Sequence, residues 1–173
     1  EVDAESGKTD IGTVASKNGN VTLTTAQDTV IGSLKAEKGD VTTTTAGSLE
    51  ITDLIAESLN AKAATTIKAG ITGDIIVKRL DAPESISLTV NGRLNADQIT
   101  EDKVHVTTKK LDITAGKIAA DEQPLKVKGT ANEDGATELE LNASTENGAF
   151  IQDNSNILKL KHVEAENGAV KIK

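Results

Sequence analysis

Apolar and polar residues alternate with a period of two over short stretches of this chain, and the stretches themselves recur. Val21–Thr25 reads VTLTT and Val41–Thr45 reads VTTTT. Both are β-branched, and both follow a Gly-containing turn, Gly19-Asn20 and Gly39-Asp40. That is a strand signature with a turn before it. Side chains of a strand point to alternate faces, so Val21, Leu23 and Thr25 are expected inward and Thr22 and Thr24 outward. Laid over one another at an offset of 20, residues 11–30 and 31–50 agree at eight of twenty places. A fixed period of this size in a polar, strand-forming sequence predicts a solenoid. A short strand, a turn, a second short strand and another turn fit within one such period. Successive copies then stack at the ~4.8 Å spacing of hydrogen-bonded strands. The predicted fold is all-β, a single-stranded parallel β-helix whose inner wall is a set of β-branched ladders.

The frame continues along the chain. Ile11, Ile31, Ile51 and Ile71 stand 20 apart, as do Val14, Leu34 and Leu54, and Asn20, Asp40 and Asn60. Acidic turns recur at Asp81, Glu101-Asp102 and Asp121-Glu122, and each introduces an alternating strand: SISLTV from Ser85, VHVTT from Val104 and LKVKG from Leu125. Pro83 and Pro124 stand just before two of these strands, where a missing N–H is tolerated. Arg93–Ile99 and Leu111–Thr114 are predicted second strands, with Asn91-Gly92 and Ala115-Gly116 as turns. The polar stretch Thr130–Gly135 (TANEDG) is off the period and reads as a loop inserted into one coil. The period returns in two identical turns, Glu146-Asn147-Gly148-Ala149 and Glu166-Asn167-Gly168-Ala169. The tail HVEAENGAVKIK echoes LKAEKGDVTTT near the start. Roughly eight coils at ~4.8 Å would make a rod ~40 Å long. Residues 1–173 read as one β-helical segment. Because Glu1–Asp10 already look like part of a repeat, the segment is expected to be internal to a longer array. No copy shows the L-x-x-L-x-L of a leucine-rich repeat. A helical repeat would need the apolar periodicity of a helix, and a β-sandwich would not give identical turns at a fixed offset.

Composition narrows the core and the partners. The chain has no Trp, Tyr, Met or Cys, and Phe150 is its sole aromatic residue. Aromatic side chains normally supply core volume, so a core of Val, Ile, Leu, Ala and Thr must be thin. No disulfide framework or thiolate metal site is available. Net charge is −8, with both signs interspersed and no basic patch, which argues against nucleic acid and anionic membrane surfaces as partners. No apolar run approaches the ~20 residues of a membrane span.

The residues Ile31-Gly32-Ser33-Leu34, Ala36, Gly39-Asp40-Val41-Thr42 and Thr44-Thr45-Ala46-Gly47 resemble the repeats of filamentous haemagglutinin-type exoproteins. These are the large secreted partners of two-partner secretion systems in Gram-negative bacteria. The looser copy Ile11–Ala26 and the tail His162–Lys173 fit the same pattern, while residues 75–160 match in texture, best at LDITAGKIAA from Leu111. The resemblance implies a right-handed parallel β-helical shaft exported through an outer-membrane partner, and a role as adhesin, haemolysin or contact-dependent toxin-delivery rod. The family's amino-terminal secretion domain has no counterpart in these residues, so no secretion or toxin motif maps onto them.

Several constellations are candidates for chemistry. If Asp81, Asp102 and Asp121 stacked on one edge, their carboxylates would lie ~5 Å apart and could share a Ca²⁺ ion. The competing reading is of ordinary solvated turn residues screened by Arg79 and Lys103. The Gly-rich nonapeptide of Ca²⁺-binding β-helices is absent. Paired carboxylates on a β-helix face could serve glycoside cleavage, but stacked rungs give such spacing trivially and no aromatic platform accompanies them. The outward pairs Thr22/Thr24 and Thr42/Thr44 form a T-x-T ladder, as on ice-binding solenoids; at the same period Lys62 and Ala64 end it after two rungs. His105, between Val104 and Val106, is expected to face away from both, and His162 to sit before a turn; neither has partner ligands at metal spacing. Asn20-Val21-Thr22 and Asn142-Ala143-Ser144 are glycosylation sequons. Phe150 is expected to plug a widened part of the core near the 130–135 loop.

The reading expected from these observations is non-enzymatic, with no catalytic, cofactor or metal residues. It is a structural shaft of a secreted, cell-surface adhesin, presenting adhesion to host or neighbouring cells through an unidentified surface protein or glycan. The alternatives are the shaft of a toxin-delivery exoprotein and a carbohydrate-active β-helix such as a tailspike-like depolymerase. A receptor-binding module that uses the 130–135 loop is a further reading. Open end coils also predict end-to-end self-association.

Overall fold

The computed structural model describes residues 7–98 and 103–173. Among these, fifteen strands follow one another: β1 (Thr9–Ser16), β2 (Val21–Thr25), β3 (Thr29–Thr45), β4 (Leu49–Ala63), β5 (Thr66–Thr72), β6 (Ile75–Asp81), β7 (Ser85–Ala96), β8 (Val106–Thr107), β9 (Lys110–Ile118), β10 (Leu125–Lys128), β11 (Thr130–Ala131), β12 (Thr137–Thr145), β13 (Ala149–Asp153), β14 (Ile157–Ala165) and β15 (Val170–Ile172). They wind into a parallel β-solenoid of about 8 turns. No helix long and apolar enough to cross a membrane occurs among the described residues.

The winding is explained by ladders that run parallel to its axis. One inward column reads Ile11, Ile31, Ile51, Ala69, Leu88, Ile113, Ala143 and Val163, each residue paired with the next across a parallel strand contact. Beside it runs Val14, Leu34, Leu54, Ile71, Val90, Ala115, Thr145 and Ala165. On a second face Leu23, Thr43, Ala61, Leu80, Val106 and Val127 stack in the same way. From Ile31 to Ala143 every member of the first column is buried. The apolar side chains of one coil therefore pack on those of the next, and stability accumulates coil by coil. At about 25 cal/mol per Å² of apolar surface removed from water, each fully buried Ile or Leu contributes on the order of 2 kcal/mol before entropy is counted.

The expected period of 20 holds for the first two steps of that column, fails over the next four and returns at the last, between Ala143 and Val163. Along the chain its successive steps are 20, 20, 18, 19, 25, 30 and 20. Ile51 lies beside Ala69, while Ile71 lies beside Leu54. The spacing of Ile71 from Ile51 is thus a coincidence of composition: the inner wall accepts Ala where a coil narrows, so Ile does not mark every rung. The third coil shortens through register shifts between Ala36 and Asp40 and between Ile51 and Leu54.

Asn91-Gly92 and Ala115-Gly116 are not turns between strands. They lie inside β7 and β9, where the strand bends around a corner and its register shifts between Val90 and Arg93. A Cβ on Gly92 would lie 2.5 Å from the Gly73 carbonyl oxygen of the coil before. Glycine is required there because the backbones of adjacent coils touch. Pro83 and Pro124 stand ahead of β7 and β10, as the sequence predicts.

The stretch after β10 is a small antiparallel hairpin. Thr130 pairs with Glu138 and Ala131 with Thr137. Asn132 closes the turn: its Oδ1 accepts the backbone N–H of Asp134 and of Ala136, both at 3.0 Å. This excursion lies within the longest coil step, from Ile113 to Ala143.

Candidate functional site

Among the described residues, the acidic turns at Asp81 and Asp121 do not stack on one another. Asp81 ends β6 in a column that reads Thr24, Thr44, Lys62, Asp81, Thr107 and Lys128. Its neighbour along the axis is therefore Thr107 and not an acidic residue, because that coil is longer than the regular period. Arg79 Nη2 lies 3.3 Å from its Oδ2. Asp121 sits at a turn closed by the Ala120–Gln123 bridge and is paired with Lys171 and Lys173 of the last coil. Those two ammonium groups, Lys171 first, hold its carboxyl below the usual carboxylate range. Asp102 lies outside the described residues. Among the described residues no group of three or more His, Cys, Asp or Glu side chains is placed to hold a metal ion.

What the Asn and Asp side chains at the turns do is cap the neighbouring coil. The Oδ1 of Asn20 accepts the backbone N–H of Asp40 at 2.9 Å, and that of Asp28 accepts Ser48 N–H at 2.7 Å. Asp74 does the same for Arg93 at 2.8 Å and Asn156 for Thr137 at 2.9 Å. Each bond satisfies a main-chain donor that the turn withdraws from the strand ladder. This accounts for the recurrence of Asn and Asp at the turn frame without a ligand.

Asp40 anchors a polar cluster on the outer surface that spans three coils. Its Oδ1 accepts Ser58 Oγ–H at 2.6 Å and its Oδ2 accepts Lys78 Nζ–H at 2.7 Å, from one and two coils along. The Lys78 hydrogen bond, and then that of Ser58, lowers its pKa. Other cross-coil pairs, Lys68–Glu50 at 2.9 Å and Lys161–Glu140 at 3.6 Å, are isolated and exposed, a class that contributes little to stability.

His105 does not face outward. It is buried together with its neighbour Val106, because the chain bends at residue 105 and alternation fails there. Its Nε2 lies 2.8 Å from the carbonyl oxygen of Asp97, and its Nδ1 accepts the backbone N–H of Lys126 at 3.0 Å. One ring nitrogen donates and the other accepts, which is the neutral imidazole with its proton on Nε2. Burial is the main reason its pKa is lowered. The adjoining groove of about 320 Å³ is lined by Asp97, Glu122, Gln123 and Lys126. Both ring nitrogens are committed to main-chain groups, so the imidazole has no free lone pair for a metal or a substrate proton. His162 lies within β14 rather than at a turn. It is exposed, with Nε2 3.0 Å from Glu164 Oε2.

The remaining candidates disperse in the same way. Thr22, Thr24 and Thr44 are exposed and Thr42 is half-buried. The rung after Thr42 and Thr44 carries Asn60 and Lys62, not Lys62 and Ala64, since the coil has shortened. The hydroxyl ladder still ends after two rungs. Asn20 is exposed, with its Oδ1 taken by Asp40 N–H. Asn142 is exposed on β12 and donates to Asp112 Oδ1 at 3.1 Å. Phe150 is not a core plug. Alternation along β13 turns Ala149 and Ile151 inward and Phe150 outward. There its ring has Lys117 Nζ 5.7 Å and Lys171 Nζ 6.0 Å from its centroid, a cation–π arrangement. A groove of about 700 Å³ runs beside the hairpin and is lined by Thr107, Lys128, Gly129, Thr130, Ala131 and Asn154. It is open and brings no carboxylate pair together.

Two features escape sequence reasoning. The Asp40–Ser58–Lys78 cluster joins residues up to 38 apart and needs the true coil lengths to be seen. The buried His105 needs the bend that breaks alternation. The Asn and Asp residues just before β2, β3, β6 and β14 are a usable signal for the caps. Comparison with family models, with curated proteins and with solved structures finds no match to this chain.

Proposed function

We propose that this chain is a load-carrying β-helical shaft of a secreted Gram-negative surface adhesin of the filamentous haemagglutinin type, which holds an adhesive tip away from the cell. The observation that supports this reading is the contrast between columns. The inward column from Ile11 to Val163 stays aliphatic at every rung, whereas the outward column beside it reads Asp10, Val30, Glu50, Lys68, Ser87, Asp112, Asn142 and His162. What the rungs keep is packing, and what they vary is everything a ligand would meet. A shaft has that property; a binding face built from repeats would keep its outward chemistry. The partners of this reading are an outer-membrane transporter that secretes the parent protein and a host-cell protein or glycan met by the tip.

The test is export and binding of the same chain. Fused behind the secretion domain of a two-partner system, it should reach the cell surface as a protease-resistant rod. The isolated chain should show no saturable binding to epithelial cells or to a glycan array. Periplasmic degradation of the fusion would count against the shaft. Saturable binding that disappears when residues 132–136 are shortened would instead favour the hairpin as a receptor contact.

A further inference from the structure

Midway along the solenoid, one corner is held by side chains where strand ladders hold the rest. β8 is two residues long and meets β6 and β10 only at Val106 and Thr107. His105 extends that short ladder. Its backbone N–H donates to the Lys126 carbonyl at 2.9 Å, and its Nδ1 accepts the Lys126 N–H at 3.0 Å, so the imidazole stands in for a strand carbonyl. The His105 carbonyl in turn accepts Leu80 N–H at 2.7 Å. Next to it Gln123 Nε2 donates to the Ala96 carbonyl. The turn that carries Gln123 begins at Ala119, which is buried in the left-handed region with φ 54°, a strained position for a residue with a Cβ. Elsewhere in the same coils, β7 pairs with β9 from Ser85 to Leu94 and β9 with β12 from Lys110 to Ala115.

The imidazole has a second place to go. In the neutral ring Nδ1 is an acceptor. A proton added there sets two donors, Nδ1–H and Lys126 N–H, against each other at 3.0 Å. It also leaves a cation at 1% exposure, which burial disfavours. Burial is accordingly the main reason that the pKa of the ring lies below its ordinary value; Asp97 works against that shift, and the charge of Lys126 works with it. Beside the ring lies the groove of about 320 Å³. Among the described residues, the charged groups that face the ring from this groove are Asp97, Glu122 of the 119–124 turn and Lys126 of β10. Arg79 and Asp81 of β6 pair with one another, and Lys103, on the segment of His105 itself, is exposed. With two carboxylates against one ammonium group, the groove receives a charged ring that the interior rejects.

We propose that this corner is an acid-released joint, in which protonation turns the His105 ring out toward Asp97 and Glu122 and parts β8 from β10 while the β7–β9–β12 ladder stays closed. The two states differ by one proton and by the place of the ring. The neutral ring ties Asp97 to Lys126. Once the ring has left, the Asp97 carbonyl and the Lys126 N–H bond to water. The solenoid then becomes pliant at one place along its length and keeps its winding elsewhere. Such an opening is sub-global and occurs in molecules that are otherwise folded. The joint is independent of the adhesin reading, since it needs only the geometry of this corner.

Hydrogen exchange of the whole chain from about pH 7.5 to about pH 5, corrected for the intrinsic pH dependence of exchange and read by fragment mass spectrometry, tests it. Protection of residues 104–108 and 125–128 should fall by up to about tenfold per pH unit once the ring titrates. Residues 85–90 and 111–115, on the β7–β9–β12 ladder, should keep theirs. His105→Gln, which does not titrate, should show no such fall. In Asp97→Asn/Glu122→Gln the fall should move to lower pH, since the charged ring loses the carboxylates that receive it. Loss of protection spread evenly over all four segments would overturn the joint in favour of global unfolding. So would steady protection of 104–108 and 125–128 in acid, or the same fall in His105→Gln. A profile of Asp97→Asn/Glu122→Gln identical to wild type would contradict the groove as the place the ring goes. Should His105→Gln fail to fold, the comparison of segments in the wild-type chain and the carboxylate variant still decide.

Discussion

The imidazole Nδ1 of His105 accepts the backbone N–H of Lys126 at 3.0 Å, one coil further along the axis. Its Nε2 reaches back to the Asp97 carbonyl at 2.8 Å. A single buried side chain thus ties the main chain at Asp97, inside the long step from Leu80 to Val106, to that of Lys126 in the coil that follows. Replacing it by Ala should leave both groups unpaired and cost about 3 kcal/mol. Urea unfolding of His105→Ala against wild type measures this.

Burial of the same ring makes the coil acid-sensitive. Burial lowers the pKa of His105 from its ordinary 6.5, so the folded state resists protonation. Above 6.5 both folded and unfolded chains hold a neutral ring, and this group gives stability no pH dependence. As pH falls below 6.5 towards the lowered folded value, the unfolded chain binds the proton first and stability declines, by at most about 1.4 kcal/mol per pH unit. Asp97, Glu122 and Lys126 line the neighbouring groove and set the rest of the local field. Unfolding midpoints at about pH 7.5 and pH 5 should differ more for wild type than for His105→Gln, which does not titrate.

Asp40 behaves with the opposite sign. Its pKa lies below the ordinary 3.8 because Lys78 and Ser58 donate to the ionised carboxylate. The stabilisation is complete above 3.8 and is lost as pH falls through the lowered folded value. Both side chains are more than a third exposed, at 35% for Asp40 and 39% for Lys78, so solvent screening discounts the pair to about 0.5–1 kcal/mol. Asp40→Asn should therefore lower stability slightly at neutral pH, and the difference from wild type should shrink in high salt and in strong acid.

Thr43 marks a place where the core is not optimal. It occupies an inward column between Leu23 and Ala61, is 3% exposed, and its Oγ1 has no hydrogen-bond partner. Thr25, Thr29 and Thr45 satisfy one another nearby, with Thr25 and Thr29 hydroxyls 2.6 Å apart. Thr43→Val keeps the shape and removes the unpaired hydroxyl, so it should raise stability by about 1 kcal/mol. Thermal unfolding followed by circular dichroism reads the shift, and a lower midpoint would contradict it.

Gly92 should be intolerant for a reason visible only in the neighbouring coil. A Cβ there would lie 2.5 Å from the Gly73 carbonyl oxygen, which is backbone and cannot step aside. Gly92→Ala should cost about 2 kcal/mol or more, whereas backbone entropy alone would predict a small gain from Ala within a strand. Gly12→Ala is the control, since nothing lies within 4 Å of its Cβ position. Urea midpoints of the two variants measured side by side check the difference.

How far the sequence speaks depends on whether a residue's role is local. The alternation in Val21–Thr25 and Val41–Thr45 and the turn residues Asn20 and Asp40 are local, and they yield the all-β stacked architecture. Register is not local. Ile71 keeps the regular spacing from Ile51, yet Ala69 is the residue that stacks on Ile51, because a narrow core accepts Ala and Ile alike. The later acidic turns mislead for the same reason: Asp81 and Asp121 keep a numerical period in coils that no longer have it. Phe150 follows from simple alternation, with Ala149 and Ile151 inward; its bulk suggested a plug, but two lysine ammonium groups hold it at the surface. His105 breaks alternation at a bend, and nothing in VHVTT announces that bend.

The central claim is that rungs are set by packing of inward columns, not by a constant repeat. The third coil decides it, where Thr44 pairs with Lys62 in the structure and a constant period would place it over Ala64. All three residues are exposed, and the chain has no cysteine of its own. Adjacent strands lie about 4.8 Å apart, within the Cα separations a disulfide spans. Oxidation of Thr44→Cys/Lys62→Cys should cross-link the native protein rapidly, and Thr44→Cys/Ala64→Cys should cross-link slowly or not at all. Preferential cross-linking of the Ala64 pair would contradict the account.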